Sequence, residues 1–112
     1  MANLADLIDA RFGVKTEAAD NRSGTTLGTS AATILRNDPR RLAATIINLS
    51  AVAMYVAPSR DVSATNGIRL APGGGQLTLI WDEDFDVTGY EWFGIADAAA
   101  SAVYTLETLA RP

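Results

Sequence analysis

The densest run of groups able to do chemistry is Asp82-Glu83-Asp84-Phe85-Asp86, with Glu91 shortly after it. Carboxylates at alternate positions are how a calcium loop begins, but the EF-hand loop needs glycine at its sixth position and a chelating glutamate at its twelfth. Counted from Asp82, those positions hold Val87 and Phe93. A looser calcium site stays open, beside the preferred reading of a solvated turn whose charges discourage edge pairing. Paired carboxylates can also act as acid and base in glycoside hydrolysis when the fold sets them roughly 5–9 Å apart. Asp82, Asp84, Asp86 and Glu91 are the candidates, yet closeness in sequence does not supply that spacing. No catalytic, metal or cofactor-binding residues are assigned, and no enzyme activity is expected.

The remaining candidates are smaller. The chain has no cysteine and no histidine, which removes thiolate chemistry, disulfides, the commonest general base and the commonest transition-metal ligand. Gly73-Gly74-Gly75 runs into Gln76-Leu77-Thr78 and a strand pattern, where a phosphate cradle would need a Gly-Lys-Ser/Thr ending and a helix. Arg36, Arg40 and Arg41 cluster around the Asn37-Asp38-Pro39 turn. They can face solvent or pair with carboxylates of a protein partner. Trp81, Trp92, Tyr55, Tyr90 and Tyr104 could line a sugar-binding face, although strand aromatics more often serve a core. With a net charge of −4 the chain repels phosphate backbones, so nucleic acid is not an expected partner.

These groups must be positioned by a modest framework. The chain has 112 residues and an apolar fraction of 48%, enough for one folded unit and too apolar for a disordered one. No apolar run approaches the ~18 residues of a membrane span, and no secretory signal is read at the start. Residues 3–12 have helical spacing, with Asn3 as N-cap, Asp6 in the first turn, Gly13 as stop, and Leu4, Leu7, Ile8 and Phe12 on one face. A helix this short is below the ~12–15 residues needed for marginal stability alone in water. It must dock, either on its own domain or on a neighbouring subunit. Residues 15–30 are small and polar and read as a linker or extended arm.

From Ala31 onward, β-favouring runs alternate with turn signals. Strands are expected near 32–36, 42–49, 52–57, 76–81, 90–96 and 102–109, with a weaker one near 62–70. Leu77, Leu79 and Trp81 alternate against Gln76, Thr78 and Ile80, while Tyr104 and Leu106 oppose Thr105 and Glu107. This predicts a mainly β fold, an antiparallel β-sandwich of jelly-roll-like or Ig-like type with about six to seven strands. Residues 1–30 form the helix and arm, and residues 31–112 the sandwich. Ile46-Ile47, Ile80-Trp81 and Trp92-Phe93 place apolar groups on both strand faces. Either loops or the arm cover the second face, or that face is an interface.

Between Arg40 and Leu79 the order Arg41-Leu42, Ile46-Ile47-Asn48-Leu49-Ser50, Met54-Tyr55-Val56-Ala57 and Gly67-Ile68-Arg69-Leu70-Ala71-Pro72-Gly73 resembles small β-sandwich structural proteins of tailed-phage virions. Capsid decoration (cement) proteins and tail-associated proteins are of this kind. The resemblance spans some forty residues and marks a strand–turn–strand layout rather than a site. It implies a capsid decoration protein on the surface of the phage particle, made in the host cytoplasm. Its partner would be the major capsid protein or another virion protein, and it would act as a homo-oligomer, with a trimer expected. The candidate interface is Leu4, Leu7, Ile8 and Phe12 together with Arg36, Arg40 and Arg41. A tail, neck or fibre-base component is the second structural reading, and a carbohydrate-binding module with Trp81 or Trp92 exposed is the alternative of another class.

Overall fold

A computed structural model describes residues 3–20 and 25–111. The element order is α1 (Leu4–Phe12), β1 (Thr16–Asp20), β2 (Thr25–Leu27), β3 (Ala32–Leu35), β4 (Arg41–Asn48), β5 (Met54–Ala57), β6 (Ile68–Leu70), β7 (Gln76–Ile80), α2 (Trp81–Asp84), a 3-10 helix (Phe85–Gly89), β8 (Trp92–Ala96) and β9 (Ser101–Ala110). The expected mainly β sandwich is therefore the fold, with nine strands among the described residues in place of six or seven.

All strand pairings are antiparallel, and they nest. β5 pairs β6, β4 pairs β7, β3 pairs β8, and β1 and β2 together pair β9. The chain is thus one long hairpin whose tip is the β5–β6 connection. Folding that ribbon over brings β4 against β9 and β5 against β8. The result is two sheets, ordered β1-β9-β4-β7, with β2 also on β9, and β3-β8-β5-β6. This double-sheet arrangement is a jelly roll.

The core lies between the sheets. Leu27, Leu35, Ala44, Ile46, Met54, Val56, Leu70, Leu79, Trp92, Ala96 and Val103 form one buried cluster drawn from both. Alternation accounts for most of it. In β4, Ala44 and Ile46 face in while Thr45 and Ile47 are half-buried, and in β7 Leu79 is buried between exposed Thr78 and Ile80. β8 is buried on both faces because the loop after β5 folds over its outer side. There Phe93 packs with Ala57 and Val62, and the Arg60 guanidinium lies 4.7 Å from the Phe93 ring centroid. For this strand, loop cover accounts for the doubly apolar pattern.

Residues 15–30, read above as a linker or extended arm, differ from that expectation. β1 runs antiparallel to the end of β9, Thr16 opposite Ala110 through Asp20 opposite Leu106, and β2 continues along β9 opposite Ser101 to Val103. Residues 21–24 of that segment lie outside the described residues. Main-chain pairing carries these edge strands, for only Leu27 among them is fully buried.

Asn48 locks the turns at one end of the sandwich. It has no exposed surface. Its side-chain amide donates to the carbonyls of Val52, Leu70 and Ala71, at 2.8, 3.0 and 3.2 Å. Its Oδ1 accepts from the backbone N–H and the hydroxyl of Ser50, at 2.9 and 2.7 Å. The loop before β7 returns to the same place, with Gly73 N–H on the Ser50 carbonyl and Gly74 N–H on the Asn48 carbonyl. Gly73 and Gly74 both take positive φ, 71° and 120°, which is why the turn is glycine. The Asn-x-Ser and Leu-x-Pro-Gly segments, some twenty residues apart, are two halves of one hydrogen-bonded knot.

Candidate functional site

The helix α1 is capped as the sequence predicts. Asn3 Oδ1 accepts from the Asp6 N–H at 3.0 Å, the Asp6 carboxylate accepts from the Asn3 N–H at 3.3 Å, and Gly13 closes the end at φ 69°. Local chemistry therefore fixes where the helix starts and stops, but no residue of it is buried. Leu4, Leu7 and Phe12 are 71%, 62% and 60% exposed, and Ile8 is half-buried. These four share one helical face.

Beside α1 lies an apolar groove of about 550 Å³. Ile8 and Phe12 form one wall, and Leu42, Ala43, Ile80, Trp81 and Thr108 form the floor and far wall. The floor is the outer face of the larger sheet, where Ile80, Ala43 and Thr108 fall in one row across β7, β4 and β9. The next row, Thr78, Thr45 and Leu106, is apolar or hydroxyl-bearing, with Leu106 exposed. Ile8 and Phe12 link the helix to this sheet face across the groove, and none of the residues lining the groove is charged.

The three arginines separate. Arg36 is exposed, and Arg40 reaches Glu17 at 3.7 Å and Asp38 at 3.5 Å from the surface. Arg41 departs from the expectation of an interface residue, being only 4% exposed. Its Nε donates to Glu107 at 2.7 Å, one terminal nitrogen donates to the carbonyls of Thr88 and Tyr90 at 3.2 and 3.0 Å, and the other to the carbonyl of Arg36. The cause is a bulge: β4 shifts register on β9 between Arg41 and Ala43. Strict alternation with buried Ala44 and Ile46 would turn Leu42 inward and Arg41 outward. One extra residue reverses both, sending the guanidinium inside and Leu42 out to the groove.

The acidic run forms α2 and the 3-10 helix. Its carboxylates do not converge: Asp84 accepts from the Ile80 N–H at 2.8 Å, Glu91 accepts from the Thr33 hydroxyl at 2.8 Å, and Asp82, Glu83 and Asp86 face solvent. Among the described residues no three or more carboxylates gather as a metal site.

The aromatic candidates divide by depth. Trp92 is in the core with its indole N–H on the Val87 carbonyl at 2.9 Å, Tyr55 is half-buried against the Phe93 cluster, and the Tyr104 hydroxyl donates to Asp20 at 3.1 Å. Trp81 and Tyr90 are 50% and 45% exposed. With Phe85 they line a second cleft of about 450 Å³ beside Asn37, Pro39 and Asp86. Phe85 was missed by the sequence reading, where its only signal is a large apolar residue stranded among acids.

No family model matches the chain, and no curated protein matches it at a significant level. Among solved structures it is similar to a chain from the work "Bacillus endospore appendages form a novel family of disulfide-linked pili", at 12% identity and a TM-score of 0.49, with 88% of this chain and 89% of that chain covered.

Proposed function

We propose that this protein is a structural subunit of a tailed-phage virion, a decoration protein that attaches through α1 and the adjoining groove to the major capsid protein. The observation that carries the reading is the exposed apolar face of α1 beside an apolar groove on the larger sheet. Burying Leu4, Leu7 and Phe12 in a partner would contribute roughly 1.5–3 kcal/mol each. That is of the same order as the cost of immobilising a subunit, so single attachments are weak and an array repeated by symmetry is strong. In this role the protein is a homo-oligomer, a trimer, and needs no catalytic group. The resemblance around Asn48 and Gly73 supports the virion setting, and the uncharged lining of the groove suits a protein partner.

Quantitative mass spectrometry of gradient-purified particles tests it. A copy number near that of the major capsid protein, or a simple fraction of it, supports decoration of the head. A handful of copies moves the subunit to the tail, neck or fibre base, and absence from particles refutes a virion role. Attachment is tested with Leu7→Glu and Phe12→Glu in the full chain. Both should keep the circular dichroism of the sandwich and lose particle binding. Truncation is the poorer experiment, since a cut at residue 20 also removes β1 (Thr16–Asp20).

A further inference from the structure

The aromatic cleft adjoins the apolar groove, with Leu42 and Trp81 lining both, and its chemistry does not depend on the virion reading. Phe85 sits at φ 56° and ψ −132°, angles that glycine holds freely at the first corner of a type II′ turn and that a bulky side chain holds only under strain. That strain secures no packing, because the ring is 73% exposed. It holds Phe85 at a cleft that Trp81 and Tyr90 also line. Asn37 and Asp86 border the same cleft, and neither side chain has an intramolecular partner among the described residues. Arg41 reaches the cleft wall with its guanidinium already bound to Glu107 and carbonyls.

We propose that this cleft is a binding site for a neutral saccharide. Exposed ring faces offer stacking platforms for the C–H face of a pyranose, as aromatic groups do for ligands with one apolar side. The free amide of Asn37 can donate to and accept from ring hydroxyls, and the free carboxylate of Asp86 can accept from them. The available charge is negative, which excludes phosphorylated, sulfated and carboxylated sugars. The volume lies within the range of about 300–1,000 Å³ usual for small-molecule sites and leaves room well beyond a quaternary ammonium head, the other ligand that aromatic walls attract.

The full chain is titrated with neutral hexasaccharides of glucose (α-1,4 and β-1,4), N-acetylglucosamine, mannose and galactose at millimolar concentration, with choline chloride in parallel. Trp81 emission is the readout, and buried Trp92 supplies the constant background. The expected result is a saturable shift with at least one saccharide, weakened tenfold or more by Tyr90→Ala and by Phe85→Gly. Phe85→Gly should at the same time raise the urea midpoint, because it removes the strain, so loss of binding cannot be loss of fold. A flat response to every saccharide, binding untouched by both variants, or a response to choline alone would each overturn the proposal. None of these results bears on whether Leu7→Glu detaches the protein from particles.

Discussion

Replacing Arg41 by alanine is the sharpest test of how the two sheets and the 3-10 helix are tied together. The guanidinium joins β4 to Glu107 on β9, to the Arg36 carbonyl after β3, and to the carbonyls of Thr88 and Tyr90. Its side chain is 1% exposed and that of Glu107 20%. Breaking a buried charge pair by removing one partner costs about 3–5 kcal/mol. Here the Glu107 carboxylate can partly rehydrate, which lowers the figure, while the stranded carbonyls raise it by about 1 kcal/mol each where water cannot follow. Arg41→Ala should therefore lose about 4 kcal/mol, a large share of the roughly 5–15 kcal/mol that holds such a domain. Glu107→Gln keeps an acceptor for Nε but leaves the guanidinium, 1% exposed, without its counter-charge, and should lose about 3 kcal/mol. Arg36→Ala and Arg40→Ala, both at the surface, should stay within about 0.5 kcal/mol. Urea unfolding followed by Trp92 emission and linear extrapolation measures all four. A loss below about 1 kcal/mol for Arg41→Ala at unchanged slope would refute the buried tie and the bulge that creates it.

Other substitutions probe the turns. Asn48→Asp puts a carboxylate opposite three carbonyls and should cost more than Asn48→Ala, itself about 3 kcal/mol, reversing the usual ranking of conservative changes; the same urea series checks the order. Ala100 takes φ 57° just before β9, so Ala100→Gly should stabilise by about 0.5 kcal/mol, read as a raised midpoint.

What the sequence revealed follows from where side chains decide the structure. Helix α1 was legible because Asn3, Asp6 and Gly13 are end signals read locally, and β4, β7 and β9 because one face of each meets the core. Asn48 and Gly73 belong to the strand–turn–strand layout legible in the sequence, though their joining is a tertiary fact. β1 and β2 escaped because Thr16-Glu17-Ala18-Ala19-Asp20 has nothing to bury and pairs through the main chain. Arg41 was misplaced because a bulge reverses facing without changing composition. The apolar helix residues Leu4, Leu7, Ile8 and Phe12 were found by periodicity, whereas Phe85 owes its position to backbone angles that no residue pattern announces.

The nested pairing also sets a timetable for synthesis. β1 and β2 leave the ribosome early, yet their partner is β9, and β4 likewise lacks one neighbour until β9 arrives. Only the tip of the ribbon, β5 with β6, can close soon after it is made. The nascent chain thus carries unpaired strand edges through most of its translation, and the larger sheet assembles in a late step dominated by distant contacts, the slow regime of folding. A stop codon ahead of Ser101 would leave β1, β2 and one side of β4 without a partner at once. Such a product would offer its open edges to other chains.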